Sequence, residues 1–76
     1  MEKNPNRIEI ASDVCTRDGI GIEVYKDHKL ILEIFRDDTN KSRVITLWDK
    51  EIGLADMEYY IKIFKEEIPW DFIEIN

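Results

Sequence analysis

Three features of this 76-residue chain carry side chains able to do chemistry: the polar run from Asp37 to Ser42, the single histidine His28 and the single cysteine Cys15. Asp38, Asn40 and Ser42 alternate, and Asp49 follows Asp38 at a distance of eleven residues, which echoes the ligand spacing of a calcium loop. The echo fails at two positions. Arg43 stands where such a loop needs Gly for its sharp turn, and the closing ligand is Asp49 rather than a bidentate Glu. The expectation is a hairpin turn that holds no metal, because Asp, Asn and Thr suit turns through local hydrogen bonds.

His28 lies between Asp27 and Lys29 in a polar stretch. A histidine base needs an orienting partner and a nucleophile or acceptor nearby, and no motif supplies them, so His28 reads as a solvated turn residue. Cys15 has neither a histidine nor a helix start beside it to lower its pKa, and reads as a small inert hydrophobe. Asp37, Asp38, Asp49, Glu51, Asp56 and Glu58 could gather near one end of the sheet. As acids they would serve general acid–base chemistry only if burial split their pKa values. A solvated acidic rim, able to dock a basic partner, is the expectation instead. No catalytic residue and no cofactor-binding residue is assigned.

The elements that would position these groups follow from periodicity. Residues 1–6 are polar, contain Pro5 and read as a frayed end. Alternation begins at Arg7, with Ile8 and Ile10 on one side, and leads to Asp18-Gly19, a dipeptide that favours a two-residue hairpin turn. Ile20, Ile22 and Val24 share one face of the next strand, and Leu30, Leu32 and Ile34 one face of the strand after it. Matching apolar residues across the pair puts Val24 opposite Leu30 and Ile22 opposite Leu32. That register needs a loop of three or five residues around Lys26, Asp27 and His28, since a two-residue loop sets Ile22 against Glu33. Ile34 opposite Ile45 and Leu32 opposite Leu47 leave Asp38 to Lys41 as a four-residue loop.

From Leu54 to Glu67 the period changes. Leu54, Met57, Ile61, Phe64 and Ile68 recur at helical spacing, Asp56 and Glu58 suit the start, Glu58 and Lys62 form an i,i+4 pair, and Pro69 ends the helix. The tail, residues 70–76, reads either as a short strand or as an apolar flap. The expected fold is α+β: one domain, with an antiparallel β-meander of three to four strands over residues 7–49 and one C-terminal helix packed on one face.

The helix is expected to cover Ile20, Ile22, Val24, Leu30, Leu32, Ile34, Ile45 and Leu47. The opposite face would then hold Tyr25, Ile31, Phe35, Val44 and Trp48 among Glu23, Glu33 and Thr46. A solvated sheet face is ordinarily polar, so this aromatic one is a candidate partner contact. The alternative is that Trp70 and Phe72, or the first strand, fold over it.

Composition narrows the function classes. The chain is 43% hydrophobic and 37% charged, with a formal charge of −6. That apolar content argues against disorder. An acidic chain without a basic run is a poor ligand for phosphate backbones or an anionic membrane, so neither nucleic acid nor membrane is expected as a partner. No apolar run is long enough for a signal peptide or a membrane span, and a lone cysteine excludes an internal disulfide, which suits a cytoplasmic protein. A domain this short buries only about 60–65% of its unfolded surface, so burial in a complex or oligomer would add materially to its stability.

The run "GIGIEVYKDHKLILEIFRDDTNKSRVITLW", the helix after it and "EEIPWDF" resemble small bacterial proteins of uncharacterised function built from a β-meander and one C-terminal helix. Single-domain immunity proteins of bacterial toxin systems are similar in size, charge and build. The resemblance covers most of the chain. It rests on rhythm and on pieces such as "LEIFRDD" and "EIPW", and it transfers no functional residue. Two function classes follow. One is a non-enzymatic protein-binding module, immunity-like in build, whose partner is another protein (a basic one is favoured by charge) or a second copy of the chain. The other is a small-molecule binder or an accessory subunit of an enzyme, with a pocket between sheet, helix and tail.

Overall fold

Alternation of apolar and polar residues resolves into four strands: β1 (Asn6–Asp13), β2 (Gly19–Lys26), β3 (Lys29–Asp37) and β4 (Ser42–Leu47). They form one antiparallel sheet in the order β1-β2-β3-β4, followed by the helix α1 (Leu54–Glu67). The computed structural model describes residues 6–13 and 17–74. Cys15 lies outside them, as do residues 1–5, most of the stretch expected to fray.

The core sits between α1 and the middle of the sheet. Ile22, Val24, Leu32 and Ile34 meet Tyr60, Phe64 and Ile68, all of them buried. The helix bounds match the periodicity, and α1 ends as Pro69 requires: Ile68 is extended and its N–H donates to the Phe64 carbonyl at 2.9 Å. The buried stripe differs from the expected one by its first turn. Leu54 is 75% exposed, and Tyr60 takes a place in the core. On the outer surface Lys62 pairs with Glu66 at 3.3 Å; the expected Glu58–Lys62 pair is not among the ion pairs of the described residues.

One expected register is met and one is corrected. Between β3 and β4, Ile34 faces Ile45 and Leu32 faces Leu47, with Asp38–Lys41 as the loop. Between β2 and β3, Asp27 and His28 do form a two-residue turn, both at positive φ (51° and 67°), with Lys26 opposite Lys29. A β-bulge then intervenes: Tyr25 faces Leu30 but Val24 faces Leu32, so Ile31 is the extra residue. Ile22 consequently faces Ile34, two residues from the expected partner, and apolar matching survives because the displacement is even. The carbonyl of Ile31 accepts the N–H of Trp48 at 2.8 Å and that of Asp49 at 3.4 Å, and its side chain joins the core.

Asp18-Gly19 is not the turn. Gly19 opens β2 opposite Asp13, without positive φ. Gly19 and Gly21 serve close approach instead. A Cβ at Gly19 would fall 2.0 Å from the Arg36 carbonyl oxygen and 2.7 Å from the Phe35 ring, and one at Gly21 would fall 2.2 Å from the Ile34 carbonyl oxygen.

The tail runs as an irregular flap on the helix side. Arg43 donates to the Trp70 carbonyl at 2.6 Å, and its guanidinium stacks 3.7 Å from the Trp70 ring and 4.2 Å from the Phe72 ring. Beside it lies a buried clasp. Arg36 donates through Nε to Asp38 Oδ1 at 2.9 Å, through Nη2 to Asp38 Oδ2 at 3.0 Å, and through Nη1 to the Pro69 carbonyl at 2.8 Å. Ile73 N–H donates to Asp38 Oδ1 at 3.1 Å. Asp38, expected in a solvated loop, is therefore a buried anchor for the tail.

Asp37 holds the same loop differently, accepting from the backbone N–H of Asn40 at 3.0 Å and from its side-chain amide at 2.9 Å. These donors, the side-chain amide first, hold its carboxyl below the ordinary value, against the opposing effect of burial. A depressed carboxyl contributes stability that is complete above the unfolded value of about 4 and is lost as pH falls through the folded value. Carboxyl-carbon NMR titration is expected to show Asp37 still ionised at a pH where Asp residues without such donors are half protonated.

Candidate functional site

The expected aromatic face is broken up by its own neighbours. Phe35 does lie on the sheet face away from α1, but it is 1% exposed, because Arg17 roofs it with its guanidinium 3.7 Å from the ring. Arg17 is held there by Glu33 at 2.8 Å and Asp13 at 3.5 Å. Ile31 is turned into the core by the bulge. Tyr25 is half-buried under the Arg7 guanidinium, 4.1 Å from its ring, and donates its phenol to Glu23 at 2.9 Å, which raises the phenol's pKa. Glu9, Glu23 and Glu33 stand side by side across three strands, and Arg7, Tyr25 and Arg17 respectively meet them. This face is a ladder of internal charge pairs. Neither Trp70 nor Phe72 covers it, since both stack on Arg43 on the helix side.

The acidic rim is divided too. Asp37 and Asp38 sit at one end of β4 and Asp49 just beyond the other, roughly 20 Å away for a strand of this length. Among the described residues no group of three or more His, Cys, Asp and Glu side chains is placed to hold a metal ion. His28 is exposed in its turn.

Of the expected contact residues, Val44 and Trp48 remain open, 37% and 56% exposed, and both belong to β4 or its immediate end. They are joined by two residues assigned from the sequence to the core: Ile45, 43% exposed, and Leu47, 47% exposed. The reason is width. A helix with side chains is about 10–12 Å across, whereas four strands at about 4.8 Å spacing are wider than that. α1 lies over the middle strands and leaves β4 uncovered, and the comparison of those two widths is the sequence signal that could have found this.

The backbone of β4 is open as well. Asp38 N–H donates across to the Asp18 carbonyl, so Asp38 faces β2 and, by alternation, Asp37, Phe35 and Glu33 face β4. Their partners Ser42, Val44 and Thr46 point inward, and the Trp48 N–H to Ile31 continues that parity. The N–H and C=O groups of Arg43, Ile45 and Leu47 therefore point away from the sheet, where β4 has no neighbouring strand. Native edges are usually guarded by Lys, Pro, a bulge or an inward charge. From Val44 to Trp48 this edge has none; of the charges that flank it, Arg43 is folded back onto Trp70 and Phe72, and Asp49 and Lys50 follow Trp48. The other edge strand, β1, carries the Arg7–Glu9 pair.

Trp48→Ala removes exposed area and no core contact. It is expected to lower the unfolding free energy by under about 1 kcal/mol, as surface changes do, while weakening any association through β4 several-fold. Sedimentation at several concentrations beside urea unfolding separates the two. A loss of about 3 kcal/mol or more would mean a buried Trp.

Among the described residues no helix is long and apolar enough to cross a membrane. No protein-family model, curated protein or solved structure matches this chain.

Proposed function

We propose that this chain is a protein-binding module that works by strand addition at β4. One observation carries the reading: a single edge strand combines outward-pointing backbone groups with exposed apolar side chains on both faces. In strand addition the backbone supplies affinity and alternate side chains supply specificity. The occupant is then an extended polypeptide with apolar side chains on both faces of its strand. A toxin polypeptide is one such occupant, the partner class suggested by the resemblance in size, charge and build to immunity proteins.

A small-molecule role has less support. The groove between sheet, helix and tail, floored by Ile34, Ile45, Ile61 and Phe64, is about 150 Å³, small beside ligand pockets of roughly 300–1,000 Å³. A wider cleft of about 390 Å³ beside Ser12, Asp18, Ile20 and Ile73 has two of its three charged side chains, Arg36 and Asp38, committed to each other.

A synthetic peptide with the sequence of residues 42–49 is a suitable probe, because as an extended strand it presents apolar side chains on both faces. Calorimetric titration is expected to give saturable binding that Ile45→Pro abolishes. Proline there removes an outward N–H and no bond to β3, and edge positions tolerate it. Binding that survives Ile45→Pro, or no binding, would overturn the proposal.

A further inference from the structure

We infer that the occupant of the β4 edge is a second copy of the chain, paired antiparallel about a two-fold axis through Thr46. The inference rests on the strand-addition reading and adds a partner and a register. In a two-fold pairing every contact occurs twice, so a strand is a good partner for itself only if one register is self-complementary along its length.

β4 has such a register. Centred on Thr46, it sets Thr46 against Thr46 of the other copy, Ile45 against Leu47, and Val44 against Trp48. Each is a favourable cross-strand pair: hydroxyl with hydroxyl, aliphatic with aliphatic, β-branched with aromatic. The backbone agrees. Ile45 and Leu47 both point their N–H and C=O groups outward, so they fall at hydrogen-bonded positions. Thr46 points inward to Glu33, so its pair falls at the closer, non-hydrogen-bonded position. Neighbouring registers fail on side chains. Centring on Ile45 sets Arg43 against Leu47 and Ser42 against Trp48, centring on Val44 sets Arg43 against Ile45, and centring on Leu47 sets Ile45 against Asp49. The exposed residues Val44, Ile45, Leu47 and Trp48 thereby gain cross-strand neighbours on both faces of a continuous eight-stranded sheet, twice the four strands of one copy.

Cysteines placed one at a time at Val44, Ile45 and Thr46, in a Cys15→Ser background, read the register. Across a non-hydrogen-bonded pair the Cα atoms are about 4.5 Å apart, within the span of a disulfide. At the other two positions the symmetry-related Cα atoms stand roughly 7 Å apart or more in this register. Mild oxidation is expected to link Thr46→Cys into a covalent dimer at least ten-fold faster than Val44→Cys or Ile45→Cys. Sedimentation of the unmodified chain from about 10 µM to 1 mM is expected to show a monomer–dimer equilibrium, the range suiting a small interface, and Leu47→Lys is expected to abolish it with an unchanged amide spectrum. Equal linking at all three positions, preferred linking at another, or a monomer throughout would overturn the inference. If the chain stays monomeric while the peptide of residues 42–49 binds and Ile45→Pro abolishes that binding, strand addition stands and only the second copy is lost. If neither associates, both fail.

Discussion

Asp38→Ala is expected to leave the chain largely unfolded at room temperature. The Asp38 carboxylate meets Arg36 through two parallel bonds, with the two side chains 5% and 3% exposed. Removing it strands a buried guanidinium with the Pro69 carbonyl as its remaining partner. Breaking one side of such a pair costs about 3–5 kcal/mol, as much as a core of this size supplies in total, about 3–5 kcal/mol. The loss also frees the tail, since Ile73 donates to the same carboxylate. The double change Arg36→Met with Asp38→Leu removes both charges and is expected to recover much of the stability, because a buried pair is nearly balanced by its own desolvation. Thermal unfolding of both variants tests this. A single variant as stable as the parent, or a double no better than the single, would show that the pair is not the clasp described.

Leu32→Ala is the second large effect. Leu32 has no exposed surface and sits on β3 between Val24 and Leu47 in the sheet. Truncation loses burial and leaves a cavity, costing on the order of 2–5 kcal/mol. Urea unfolding at low temperature is expected to show a collapsed midpoint. Its neighbour Leu47, 47% exposed, provides the contrast: Leu47→Ala is expected to move the midpoint by well under half as much. Equal effects would contradict the placement of α1 over the middle strands.

The parts of this fold legible in the sequence are those set by local periodicity. Ile34 against Ile45, Leu32 against Leu47 and the span Leu54–Glu67 all follow from side chains a few residues apart. What was not legible depends on contacts made at long range. The bulge at Ile31 answers to the chain leaving β4, whose Trp48 and Asp49 N–H groups meet its carbonyl. Asp18-Gly19 carries a strong turn signal, but the nearness of Phe35 and the Arg36 carbonyl to Gly19 gives that glycine another task. Phe35 is hidden by Arg17, which arrives from a different loop, and Asp38 is buried by residues some thirty-five positions away. For the candidate site, aromatic content on one strand face points to Val44 and Trp48. Apolar matching places Ile45 and Leu47 in the core, and only the width of one helix against four strands exposes them.

Amide hydrogen exchange along β4 tests the central claim most directly. In the dilute free chain, the amides of Val44 and Thr46, which face β3, are expected to be protected, and those of Ile45 and Leu47 to exchange near the solvent rate. On saturation with the peptide of residues 42–49, Ile45 and Leu47 are expected to slow by at least ten-fold, with little change at Tyr25 and Glu23. Unchanged exchange at Ile45 and Leu47, with new protection on the face that carries Tyr25, would contradict binding at the β4 edge.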